Sequence, residues 1–177
     1  METRETILTR QSIRAYRADE LTDEQIKPIL DAAVRAPSGG NAQPWAFITV
    51  QKARRLQAIK AVSPGMIGTP AALIVICLDK KRIGKSGESA SMPMVWMSLG
   101  AAMQNILLAA HDNGVGACAI GSFNTQSVTG LLNLPDDIQP VLIISLGLAT
   151  RIPKQSSRRP DSEIIFMEQY SASDNNG

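Results

Sequence analysis

The chain is poor in residues that commonly build catalytic centres. It has a single histidine, His111, in 177 residues. His111 falls near the end of a predicted helix and reads as a surface or capping residue. A multi-histidine metal site and a Ser-His-Asp triad are therefore not expected. Only two cysteines occur. Cys77 and Cys118 lie in apolar runs without CxxC spacing, which reads as buried strand thiols. Aromatic residues make up 4% and the formal net charge is only +2, which argues against a nucleic-acid partner. No apolar signal region follows Met1. The longest apolar runs, near 71–78 and 140–148, are too short to span a bilayer. The expectation is a cytoplasmic protein without a membrane partner. There is no internal repeat, no P-loop and no GxGxxG after a strand.

What is present suits a globular domain. Apolar residues reach 44% and charged residues 19%, enough for a core and too few charges for a disordered chain. The length fits one domain, or one domain completed by a partner. Its bounds are read as 1–170, with 171–177 a disordered tail. Positive charge is local. Arg4, Arg10, Arg14 and Arg17 lie near the start; Lys154, Arg158 and Arg159 lie near the end. The two clusters either converge on one phosphate or are solvated surface.

The stretch that organises the chain is Arg35-Ala36-Pro37-Ser38-Gly39-Gly40-Asn41-Ala42-Gln43-Pro44-Trp45. Its prolines, paired glycines, serine and asparagine predict a loop with unusual backbone conformations and exposed N–H groups. Such a row suits an anionic or carbonyl-rich ligand, although a plain connecting loop is the alternative.

Around it, elements follow from pattern. Residues 3–12 predict a short helix, which would put Arg10 and Arg14 on one face with Ser12 between them, a phosphate clamp. Thr22-Asp23-Glu24-Gln25 is a capping box opening an amphipathic helix that Pro37 marks as ended. Strands are predicted at 45–50, 71–78, 117–120 and 140–148, and helices at 53–62 and 125–132. The longest helix runs over 94–113, with Met92, Met94, Met97 and Met103 read as core filler. A mobile loop is predicted at 84–93. Alternating strands and helices leave α/β or α+β open.

With these pieces placed, the sequence resembles the nitroreductase family of FMN-dependent oxidoreductases. Arg10-Gln11-Ser12-Ile13-Arg14 is similar to its N-terminal Arg-x-Ser-x-(Arg/Lys) motif. Residues 36–45 resemble its Ala-Pro-Ser-x-x-Asn-x-Gln-Pro-Trp loop. Residues 102–110, Gly114-Val115-Gly116 and Ile120-Gly121 resemble its central helix and following strand, and Arg158-Arg159-Pro160 its C-terminal basic-proline motif.

The resemblance implies an α+β fold, a mostly antiparallel sheet flanked by helices, in an intertwined homodimer with FMN at the interface. By position it implies that Arg10, Gln11, Ser12 and Arg158, with Arg159 a further candidate, hold the phosphate and ribityl chain. Arg14 would lie near the flavin pyrimidine. Pro37, Ser38, Gly39 and Asn41 would come from the partner chain, and Ile120, Gly121 and Ser122 would lie against the ring. Chemistry on a flavin needs no protein nucleophile. The implied activity is ping-pong hydride transfer from NADH or NADPH to a small acceptor such as a nitroaromatic or quinone. The alternative is an FMN-binding protein without reductase activity. Two departures stand out. Ser98 replaces an acidic residue common two positions before the glycine Gly100. The segment 79–93 is too short for the extra helices of longer relatives.

Overall fold

The structure, a computed structural model, describes residues 1–83 and 92–170. In chain order it contains α1 (Thr3–Thr9), α2 (Asp23–Ala33), β1 (Trp45–Val50), α3 (Ala53–Ala61), β2 (Ala72–Asp79), α4 (Met92–Asp112), β3 (Gly116–Ile120), α5 (Thr125–Leu131) and β4 (Ile138–Gly147). The four strands form one sheet in the order β1-β2-β4-β3, and every neighbouring pair is antiparallel. The fold is therefore α+β.

The sheet is the middle of three layers. Along β2 the side chains alternate between its two faces. Ala72, Ile74, Ile76 and Leu78 join α2 and α4 in one core. Leu73, Val75 and Cys77 join Leu56 and Ile59 of α3 and Val128 of α5 in the other. Both faces of β2 are covered, which explains why its sequence is continuously apolar rather than alternating. Cys77 and Cys118 are both buried and unpaired.

Local chemistry sets several boundaries. The backbone N–H of Thr22 donates to Gln25 Oε1 at 3.0 Å, one half of the capping-box exchange. Asn124 Oδ1 accepts from the Ser127 N–H at 2.8 Å and starts α5. Gly114 takes φ 71° beyond the end of α4, a conformation that glycine adopts without steric cost.

Four sequence expectations are corrected here. The first helix stops at Thr9, not residue 12. The α2 helix ends at Ala33, before the residues adjoining Pro37, because Val34 and Arg35 already close turns back onto Leu30 and Ala32. The long helix begins at Met92. By length and composition it is apolar enough to cross a bilayer, so the reading from uninterrupted apolar runs was incomplete. It packs here on the sheet and on α2.

The fourth concerns the methionines. Met92, Met94 and Met97 are not core filler: they are 44%, 37% and 67% exposed, and Trp96 among them is 47% exposed. The 3.6-residue period turns Val95, Leu99, Ala102 and Ile106 inward, which leaves those side chains on the outer faces. The predicted loop falls largely on residues 84–91, and the predicted tail on 171–177, both outside the described residues.

Candidate functional site

The N-terminal motif is extended, not helical. After α1, Arg10 takes φ −56° and ψ 130°. The chain then runs beside β3. Ser12 forms a parallel bridge with Ala117, and the Ile13 N–H donates to the Ala117 carbonyl at 2.9 Å. The free edge of β3 thus captures backbone groups that a longer helix would have used internally. Arg10, Ser12 and Arg14 still share a side, by the two-residue period of an extended chain. Ile13 faces the opposite way and is buried, lying where a Cβ on Gly116 would sit 2.7 Å from its Cγ2.

The C-terminal basic segment arrives at the same place. Leaving β4, the Thr150 N–H donates to the Ala15 carbonyl at 3.1 Å. Further on, the Gln155 side-chain amide reaches the Leu8 carbonyl at 2.6 Å. Arg10, Gln11, Ser12 and Arg14 then line one cavity of about 230 Å³ with Lys154 and Arg158. Among the described residues no carboxylate lines it. A set of guanidinium, ammonium and hydroxyl donors fits a phosphate. A second cavity of about 310 Å³ shares Ser12, Arg14 and Pro153 with the first and adds Ile67 and Arg151.

The other expected site residues lie elsewhere. Arg159 is turned to Glu163, its Nε 3.1 Å from the carboxylate, and does not line either cavity. Of the two C-terminal arginines, Arg158 is the one at the clamp. Ile120 ends β3, and Gly121 and Ser122 follow it behind the turn at Gly65, whose N–H donates to the Ser122 carbonyl at 3.1 Å. That same turn continues to Gly68, which presses on the Arg14 carbonyl. A loop therefore links the two regions without merging them into one cavity.

The loop Pro37–Asn41 lies at the far edge of the sheet, before β1. Three interstrand steps, about 14 Å, separate β1 from β3. The loop is held in a demanding conformation: Gly40, Asn41 and Gln43 take φ of 57°, 55° and 49°. The N–H groups of its second half are engaged within the loop. Asn41 N–H donates to the Ser38 carbonyl at 3.0 Å and Ala42 N–H to the Gly39 carbonyl at 3.1 Å. Ser38 Oγ accepts from the Gln43 N–H at 3.0 Å. Gly39 abuts Met94, where an added Cβ would lie 2.9 Å from Cε.

Sequence reading missed Gln155, Pro153, Ser156 and Ile67 at these cavities. The polar, basic character of residues 150–160 was a signal for the segment. Nothing local marked Gln155, because its partner Leu8 is 147 residues away.

The architecture and cavity define an α+β protein with a basic cavity where its N-terminal and C-terminal segments meet at a sheet edge. The chain belongs to the nitroreductase family, whose model matches residues 7–73 and 56–148. A Methanothermobacter thermautotrophicus protein with the provisional name NADH dehydrogenase/NAD(P)H nitroreductase is 34% identical over 160 residues, covering 86% of this chain and 80% of its own. The Bacillus subtilis FMN reductase (NADPH) is 27% identical, covering 94% of this chain and 73% of its own. Among solved structures, a Parabacteroides distasonis protein with the same provisional nitroreductase name superposes with a TM-score of 0.84 at 27% identity, covering 96% of this chain and 99% of its own.

Proposed function

We infer that this protein is an FMN-dependent NAD(P)H oxidoreductase that passes hydride to a small acceptor such as a nitroaromatic or a quinone. One observation carries the reading. Arg10, Ser12 and Arg14 meet Lys154 and Arg158 around a single cavity that no carboxylate lines among the described residues, which suits a flavin phosphate. Family membership and the names of the relatives support the same activity.

Bound FMN would supply the hydride-accepting and hydride-donating centre. Arg10, Ser12, Lys154 and Arg158 bind the phosphate by charge-assisted hydrogen bonds. Arg14 lines both cavities, so its charge reaches the phosphate side and the adjoining space. There its positive charge would favour an anionic flavin ring. Ile67 and Pro153 give that second cavity apolar walls. NAD(P)H and the acceptor would bind here in turn, which predicts ping-pong kinetics.

Two copies complete the site. The loop Pro37–Asn41 sits at the opposite sheet edge from its own clamp, and in this reading it meets the clamp of a second chain. The exposed apolar side chains Met92, Met94, Trp96 and Met97, beside Gly100 with no atom within 4 Å of an added Cβ, supply the contact surface. Gly121 and Ser122 remain candidates for the ring side.

The deciding experiment is the visible spectrum of the purified protein, with the released cofactor identified by mass. A yellow protein releasing FMN is expected. Stopped-flow mixing with NADH and with NADPH should then bleach the flavin. If the flavin stays oxidised with both, the reductase reading is lost and a flavin-storage protein remains.

A further inference from the structure

Tyr16 lies two residues beyond Arg14 and is absent from both cavities. Its hydroxyl lies 2.6 Å from the Ile13 carbonyl, to which it donates. The same oxygen lies 2.7 Å from Ser145 Oγ, which then donates to it. Ser145 is only 2% exposed, in the interior of β4. Burial pushes the Tyr16 hydroxyl up to about 12, so it keeps its proton and remains a donor at any ordinary pH.

Ile13 is consequently held at both backbone groups. Its N–H is bound to Ala117 of β3 and its carbonyl to Tyr16. Ile13 is the residue between Ser12 and Arg14, so fixing its two peptide planes fixes the directions of both clamp side chains. The surroundings are shaped to admit this arrangement. A Cβ on Gly147 would come 2.8 Å from Tyr16 Cδ1, and one on Gly116 would come 2.7 Å from Ile13 Cγ2. Tyr16 also bridges Ala149, where the chain turns towards Lys154 and Arg158. The Tyr16 side chain therefore touches the strap that carries half of the clamp, and its backbone pairs with the strand exit that leads to the other half.

We propose that Tyr16, backed by Ser145, is a positioning residue that sets the geometry of the phosphate clamp from beneath. The proposal rests on the flavin reading of the cavity, and it predicts an effect on phosphate recognition rather than on flavin binding at large. Neutral hydrogen bonds of this kind carry effects up to about tenfold.

The test compares FMN with riboflavin, which lacks the phosphate, in wild type, Tyr16→Phe and Ser145→Ala. Titration by flavin fluorescence gives both affinities, and amide exchange over residues 12–17 is measured without ligand. Tyr16→Phe should lower the preference for FMN over riboflavin about tenfold. It should also speed exchange at Ile13 and its neighbours and leave the sheet protected. Ser145→Ala should act in the same direction, and it is the informative variant should Tyr16→Phe fail to fold. An unchanged preference overturns the proposal. So does an equal loss of both flavins, which marks a loosened fold instead. If wild type binds neither flavin, the flavin reading falls separately. Exchange then decides alone: acceleration confined to 12–17 supports positioning, and unchanged exchange overturns it.

Discussion

The Gln155 side-chain amide donates to the Leu8 carbonyl at 2.6 Å, joining positions 147 residues apart. Leu8 lies in the last turn of α1, where helix carbonyls lack intrahelical partners. This bond tethers the segment bearing Lys154 and Arg158 to a residue two positions ahead of Arg10. Gln155→Ala should therefore weaken FMN retention by about twofold to tenfold, the range for one neutral hydrogen bond. Equilibrium dialysis measures it. Equal affinity in the variant would show that the basic segment holds its position without the tether.

Charge at the clamp is the larger effect. Arg10→Ala and Arg158→Ala each remove a charge-assisted bond, so FMN affinity should drop by about tenfold to a hundredfold. Arg159→Ala is the internal control. Its guanidinium is engaged by Glu163, with a second bond to the Glu163 carbonyl at 3.1 Å. Its FMN affinity should stay within about twofold of wild type, the scale of an exposed ion pair. A larger loss in Arg159→Ala than in Arg158→Ala would reverse the assignment.

Gly147 tests the packing of the strap. Alanine there meets the Tyr16 ring at Cδ1, Cγ and Cβ, all within 3.2 Å of the new carbon. The ring is hemmed in by its buried hydroxyl partners and cannot swing away. Overpacking of this kind costs about 1–3 kcal/mol. Thermal unfolding of Gly147→Ala should start several degrees lower, at about 2–4 °C per kcal/mol for a chain of this size. Gly114→Ala offers a contrast, since nothing lies within 4 Å of its Cβ and only the φ of 71° is unfavourable.

His111 predicts a pH dependence. Its Nε2 lies 2.8 Å from Thr9 Oγ1. Burial first, and the nearby Arg10 charge second, hold its pKa below the ordinary 6.5, against the opposing pull of Asp112 and Glu5. Between the folded and unfolded pKa values the unfolded chain binds more protons, so stability rises with pH there. The contribution is fully present above 6.5 and is lost as pH falls through the lower folded value. Melting curves from pH 8 to pH 5 should show this decline, and His111→Gln should flatten it. An unaltered profile in that variant would assign the decline to other groups.

Trp96 tests the proposed pairing of chains. It is 47% exposed among methionines on the outer face of α4. Sedimentation should show a dimer for wild type, and Trp96→Glu should shift it towards monomer and lower FMN retention in parallel. A monomeric wild type that retains FMN would remove the need for a second chain at the site.

Much of the fold was legible because its signals are local. The continuous apolar run of β2 announced a strand, and the Thr22 capping box announced α2. The same sequence misled where a neighbour competed for the backbone. Arg10–Arg14 has a helix-like start, but the open edge of β3 offers Ala117, and that contact cannot be seen from residues 10–14. The methionines of α4 have core composition, but only the placement of the helix on the sheet decides which of its faces is covered.

By itself, then, the sequence determined the strand and helix inventory, the buried thiols and the motifs that resemble the family. Short-range periodicity and capping suffice for these. Tertiary structure alone decided that Arg158 and not Arg159 lines the basic cavity, and that Pro37–Asn41 lies an entire sheet away from it. It also seated Tyr16 beneath the clamp. Each of these depends on contacts between residues far apart in the chain, and hydrogen bonds and packing across that distance leave no periodic trace in the sequence.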